Sequence, residues 1–215
     1  MNFRASLMLL GVLLSSCGDD SSNGSTSRPP SNPTHRVWEI GPVIGTRNYS
    51  VNMPLRATRE GQRCYFDFGV GKEPHYVTFR HGSLSGKQRI RMKFQVDGAS
   101  DTVIHGAGCD VRSPSGVVLY FQRRDDSWNK DGWRWWATPV KQRLTAPGSY
   151  EIVAPLNGEW TSVMSMKAST SPTAFSQAKA ETDRVGFTFS NCDGQGHGAT
   201  ATDTVRFRIL EYVVE

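Results

Sequence analysis

The sequence predicts an all-β protein, an antiparallel β-sandwich of jelly-roll type with at most one short helix. Three observations predict it. From Val37 onward the hydrophobic residues recur with a period of two, the signature of strands with one dry and one wet face. The runs are short and are punctuated by turn dipeptides: Asp97-Gly98, Ser115-Gly116, Asp131-Gly132, Pro147-Gly148, Asn157-Gly158 and Asp193-Gly194. No helical stretches alternate with the strands, which leaves a sandwich or barrel and excludes a parallel α/β sheet. About nine or ten strands, without the Cys…Trp…Cys spacing of immunoglobulin domains, favour a jelly roll over that fold.

The elements follow in chain order. Cys64–Phe68 and His75–Arg80 open the series. The clearest alternation is Ile90-Arg-Met-Lys-Phe-Gln-Val96, with Ile90, Met92, Phe94 and Val96 on one face and Arg91, Lys93 and Gln95 on the other. Thr102–His105 follows. Val117 to Phe121 is nearly continuous in apolar residues and reads as a central strand covered on both sides. Tyr150–Val153 and Trp160–Met166 come next, then Val185–Phe189 and Val205–Ile209 with renewed alternation. Between them, Pro172 to about Lys179 reads as a short surface helix, with Ser171 as N-cap and Pro172 in the first turn.

The first segment is an address. One basic residue, Arg4, precedes an apolar stretch from Leu7 to Leu14 and then Ser15-Ser16-Cys17, the pattern of a secretory signal peptide over residues 1–16. Its apolar core is too short to span about 30 Å of hydrocarbon as a helix. Leu14-Ser15-Ser16-Cys17 resembles the lipobox of bacterial lipoproteins. That resemblance implies cleavage before Cys17, diacylglycerol on its thiol and an acyl chain such as palmitate on its amino group. Several acyl chains anchor stably where one does not. The residue after Cys17 is Gly18 rather than Asp, which by the enterobacterial sorting pattern implies the outer membrane, facing the periplasm or the cell surface. Residues 17–36 contain no large apolar side chain and read as a disordered tether about 25 Å in mean reach. No repeat or second linker interrupts 37–215, which reads as one domain.

The chain has 215 residues and a net charge of +5, with no run of five or more like charges, so the footprint of a nucleic-acid binder is missing. Of four cysteines, Cys17 goes to lipid. Cys64, Cys109 and Cys192 remain, enough for one disulfide in an oxidising compartment, and the sequence does not choose the pair. No CxxC or close Cys/His pair suggests zinc.

Four of the six tryptophans fall between residues 128 and 136, in RRDDSWNKDGWRWW from Arg123 to Trp136. Indole faces suit the apolar C–H faces of sugars, while Arg124, Asp126 and Asn129 offer hydrogen bonds to hydroxyls. On strand geometry Trp133 and Trp135 share a face and Trp136 takes the other. Trp128, Trp133, Arg124, Asp126 and Asn129 are therefore candidate ligand residues. Structural packing competes with this reading, because tryptophans fill cores and arginines stack on them. The second stretch, Asn191-Cys-Asp-Gly-Gln-Gly-His-Gly198, has three glycines that allow close backbone approach to a ligand. His197 is a candidate ligand residue, and Asn191 with Asp193 are candidate calcium ligands. No P-loop, Gly-x-Ser-x-Gly or HExxH occurs, and His75, His81, His105 and His197 stand isolated in the sequence.

Together, the strand ending Arg123-Arg124-Asp125, the Trp-rich loop and the Gly-Phe-Thr-Phe strand before a Gly-His-Gly loop resemble carbohydrate-binding jelly rolls of the galactose-binding-like kind. The resemblance implies a sugar site on loops or on a concave sheet, with structural calcium and otherwise no cofactor. The expected function is non-catalytic glycan binding at the bacterial cell envelope. Two alternatives stand beside it: a lipoprotein that engages or assembles an envelope protein, and a carbohydrate-active hydrolase. Hydrolysis needs two carboxylates about 5–10 Å apart across the bond, and no motif singles out such a pair.

Overall fold

The alternation around Ile90 becomes the longest ladders of the molecule. In the computed structural model, which describes residues 36–215, Arg89–Asp97 forms one nine-residue strand with Ile90, Met92, Phe94 and Val96 all buried. The strands in order are β1 (Glu39–Gly41), β2 (Val43–Ile44), β3 (Arg47–Asn48), β4 (Thr58–Glu60), β5 (Arg63–Phe68), β6 (Tyr76–Arg80), β7 (Arg89–Asp97) and β8 (Ile104–Gly106). They continue as β9 (Gly116–Arg123), β10 (Arg134–Trp136), β11 (Gln142–Arg143), β12 (Gly148–Pro155), β13 (Thr161–Ser162), β14 (Thr182–Ser190), β15 (Ala199–Ala201) and β16 (Val205–Val214). The α-helix, α1, spans Pro172–Ala180.

Two antiparallel sheets face each other. One has the order β12-β7-β16-β5-β4, the other β1-β6-β14-β9-β10-β13, with β11 also on β9. The chain crosses between these sheets from β1 to β4, β5 to β6, β6 to β7, β7 to β9, β11 to β12, β12 to β13 and β14 to β16. The orders β12-β7-β16-β5 and β6-β14-β9-β10 are those of a jelly roll, the eight-stranded double Greek key. Its core is aromatic: Phe66, Phe94 and Phe187 each stack on Phe207, with ring centroids 5.2, 4.8 and 5.2 Å away. The outer face of the five-stranded sheet is wet, as its polar period requires. Arg91 makes two hydrogen bonds to Glu211 and Arg206 two to Asp67, across neighbouring strands. Such exposed pairs are screened by water and add little to stability.

Several expectations change. Of Trp160–Met166 only Thr161–Ser162 pairs as a strand; the chain then turns through a 3-10 segment in which Met164 and Ser165 have φ of 56° and 60°, a conformation no strand tolerates. The helix lies on the surface but docks one face into the core. It buries Phe175 and Ala178, and Phe175 meets Trp135 edge-on at 4.9 Å and Phe121 at 5.8 Å, closing one end of the core. Ser171 occupies the N-cap position, but its hydroxyl makes no capping hydrogen bond. Arg36, read as the end of the tether, is held on the sandwich by a 3.0 Å hydrogen bond to the Tyr212 carbonyl, with its guanidinium 4.4 Å from the Phe79 ring. The signal peptide, Cys17 and residues 17–35 of the tether lie outside the described residues. Among the described residues no helix is long and apolar enough to cross a membrane. The disulfide joins Cys109 and Cys192, and Cys64 is buried in the core.

Candidate functional site

The outer face of the seven-stranded sheet is not wet. Because β9 runs Val117-Val-Leu-Tyr-Phe121, Val118 and Tyr120 point away from the core just as Val117, Leu119 and Phe121 point into it. They form a second apolar cluster with Tyr76 and Trp136, and Trp128 and Val163 pack on top of it. Tyr76 meets Tyr120 edge-on at 5.1 Å and Trp128 edge-on at 5.4 Å, while Trp136 lies 5.4 Å from Tyr120. Burial pushes the phenols of Tyr76 and Tyr120 well above their ordinary range, so both stay neutral.

Trp128 belongs to the loop from β9 to β10. Its φ is 70° and that of Asp125 is 60°, left-handed values that a bulky side chain adopts only under constraint. The constraint is visible. The side chain of Asp126 is wholly buried; its Oδ1 accepts the Trp128 N–H at 2.9 Å and its Oδ2 accepts Gln122 Nε2 at 3.0 Å. Arg134 Nε stands 3.0 Å from the same Oδ2, and Arg134 Nη2 donates to the Trp128 carbonyl at 3.0 Å. The guanidinium also lies 5.0 Å from the Trp128 ring. One buried ion pair thus grips the backbone of Trp128 on both sides and leaves its ring half-buried.

Two clefts meet at that ring. The smaller, about 350 Å³, runs over Thr78 and Gln122 between Glu39, Arg56, Arg184 and Trp128. Its carboxylates are largely engaged: Glu39 with Arg184 at 2.6 Å, Asp183 with Arg80 at 3.3 Å, and Asp126 with Arg134. The larger, about 740 Å³, lies between Tyr49, Trp128, Trp136, the Met164 turn and the loop carrying Gln195 and His197, with His75 in its wall. Burial lowers the His75 imidazole to a pKa of about 4; His197 pushes it in the same direction and a hydrogen bond to the Gly196 backbone opposes.

The backbone amides of the glycine-rich loop are engaged within the fold. Gly196 N–H donates to Phe189 O at 2.9 Å, and the Asp193 and Gly194 amides donate to Asn191 Oδ1 at 2.9 and 3.1 Å. The close approach its glycines permit is to side chains of the protein. A Cβ at Gly196 would lie 2.3 Å from Tyr76 Oη, and one at Gly198 2.6 Å from the His75 ring. The Cys109–Cys192 bridge ties this loop to the turn after β8.

Of the residues singled out in sequence, Trp128, Asp126, Asp193 and His197 line the clefts. Asp126 does so with its carboxylate committed inward. His197 stands exposed at the rim of the larger cleft. Trp133, Arg124 and Asn129 line neither. Trp133 packs under the Arg123 guanidinium at 4.4 Å, and Arg123 in turn pairs with Glu181 at 2.6 Å. Arg124 is exposed, its amide bonded to Glu181 O, and Asn129 accepts a bond from Ser127 at 2.7 Å. The oxygen of Asn191 caps its own turn, and among the described residues no group of three or more His, Cys, Asp or Glu could hold a metal ion. Trp136, Tyr49, His75 and Gln195 were not singled out. His75 and His197, isolated in sequence, face one cleft together. No protein-family model matches the chain, and none of the curated proteins does.

Proposed function

We propose that the protein binds a glycan without catalysis, on the outer face of its seven-stranded sheet, and that the lipid expected on Cys17 holds this site at the cell envelope. The observation that carries the reading is the Trp128 ring. The buried Asp126–Arg134 pair holds it half-buried, in a left-handed conformation, at the junction of two clefts. A fixed indole beside Tyr49 and Trp136 supplies flat apolar surface for sugar C–H faces at little entropic cost, because it is already ordered. Arg engagement of Glu39, Asp126 and Asp183 favours binding over hydrolysis, since a paired carboxylate is a poor general acid or base.

A glycan array, followed by titration of the best binder, tests this. Trp128→Ala should lower affinity at least tenfold with the fold intact; unchanged affinity refutes the reading. One observation favours the envelope-partner alternative: Met164, 85% exposed, and Leu55, 61% exposed, flank the same clefts. Flexible apolar side chains of this kind suit protein surfaces. Stoichiometric capture of one envelope protein, without any glycan signal, would select that alternative.

A further inference from the structure

Four buried polar atoms on residues lining the larger cleft make no hydrogen bond among the described residues: Arg134 Nε, which faces the Asp126 carboxylate at 3.0 Å, and Trp136 Nε1, His75 Nε2 and Gln195 Oε1, which face no such charge within hydrogen-bond distance. Trp136 is only 6% exposed, and the Glu73 carboxylate remains 4.0 Å from His75 Nε2. A buried polar atom left unpaired is disfavoured, and the large majority of such atoms in native proteins find a partner. The last three of the four gather around one cleft, where a ligand would be placed to supply the missing bonds. Arg134 shares this wall, but the Asp126 carboxylate faces it.

The chemistry of the three atoms restricts that ligand. The indole N–H only donates, and the amide oxygen only accepts. The imidazole is neutral at pH 7, because burial and the His197 ring both disfavour its charged form. The one buried cation of this wall, Arg134, is neutralised by its own carboxylate, and Asp193 and His197 stand at the exposed rim. An anionic ligand would lose its water against Gln195 Oε1 without a cation to replace it, which is strongly disfavoured in a desolvated site.

We propose that this cleft takes an uncharged, hydroxyl-rich sugar and that Trp136, His75 and Gln195 are its direct polar contacts. The proposal rests on the glycan-binding reading and adds to it a ligand class and three residues. Hydroxyls satisfy a donor and an acceptor together, as the wall demands.

The test uses matched oligosaccharides ending in glucose or glucuronate and in galactose or galacturonate, titrated into wild type, Trp136→Phe, Gln195→Met and Trp128→Ala. The neutral member of a pair should bind at least tenfold more tightly than the acidic one. Trp136→Phe, which keeps a ring and removes the N–H, and Gln195→Met, which keeps the length and removes the acceptor, should each weaken neutral-sugar binding about three- to tenfold. Gln195 is partly exposed, so its variant keeps the test valid if Trp136→Phe folds poorly. Equal binding of both members, preference for the acidic one, or unchanged affinity in both polar variants while Trp128→Ala still abolishes binding, overturns this inference alone. Absence of binding to every sugar overturns the glycan reading with it.

Discussion

Replacing Asp126 by Asn separates two roles that are merged in the sequence, ligand contact and structural anchor. The carboxylate is wholly buried, the Arg134 side chain is 10% exposed, and they stand 3.0 Å apart. Breaking a buried ion pair by neutralising one member costs about 3–5 kcal/mol, because the remaining charge is left uncompensated. In Asp126→Asn, Arg134 keeps two partners, the Trp128 and Lys130 carbonyls, and the new side-chain amide still offers an oxygen to the Trp128 N–H. These remaining bonds place the loss near the lower end, about 3 kcal/mol. At roughly 2–4 °C per kcal/mol for a domain of this size, Tm should fall by about 6–12 °C. Thermal unfolding followed by circular dichroism reads the shift directly. Adding Arg134→Met, which removes the stranded cation, should recover much of the loss. A Tm shift of less than about 2 °C in Asp126→Asn, together with complete loss of ligand binding, would refute the anchoring role, since the carboxylate would then be directing its charge at the ligand.

The Cys109–Cys192 bridge closes a sequence separation of 83 residues, for which chain entropy gives about 4.5 kcal/mol. Urea denaturation of the Cys109→Ser/Cys192→Ser variant should show a loss of that order, and a loss under about 1 kcal/mol would show that the loops hold without it. His75 predicts a pH dependence. Its folded pKa, about 4, lies below the ordinary value of 6.5, so the unfolded state binds the extra proton between these values and stability falls as pH drops from 6.5 towards 4, levelling below. The denaturation midpoint across that window should lose part of its slope in His75→Gln, and an identical slope in both proteins would exclude His75 as a source.

Strands of five residues or more announced themselves, because period two needs that length to show. Ile90–Val96 lies within β7, Val185–Phe189 within β14 and Val205–Ile209 within β16. Val117–Phe121 was legible even as a strand covered on both sides, which is the root of the outer aromatic cluster. Pieces of two or three residues, such as β1, β4 and β15, carry too little pattern to be seen and are fixed by their pairing partners. The site was legible in part. The tryptophan cluster pointed to Trp128, but no local signal distinguished it from Trp133, since the folded pairing of Asp126 with Arg134 decides which ring is presented. Glycines 196 and 198 looked like ligand-approach positions because close approach leaves the same mark whether the neighbour is a ligand or Tyr76 and His75. His75 was invisible because its companions Trp136 and Gln195 come from β10 and from a loop more than a hundred residues away.

The central place of β16 has a temporal consequence. Among the described strands it is the only link between the β12–β7 pair and the β5–β4 pair, just as β14 alone joins β6 to β9. A growing polypeptide that has not yet reached Val205 therefore carries two orphaned pairs with raw edges, and one side of the sandwich has no centre. Assembly must wait for Val205–Val214 and then proceed through contacts widely separated in sequence, the slow regime for all-β chains. During that interval the unfinished strands are open to pairing with other chains, so safe maturation of this protein depends on how quickly its closing strand arrives and on what shields the two halves until it does.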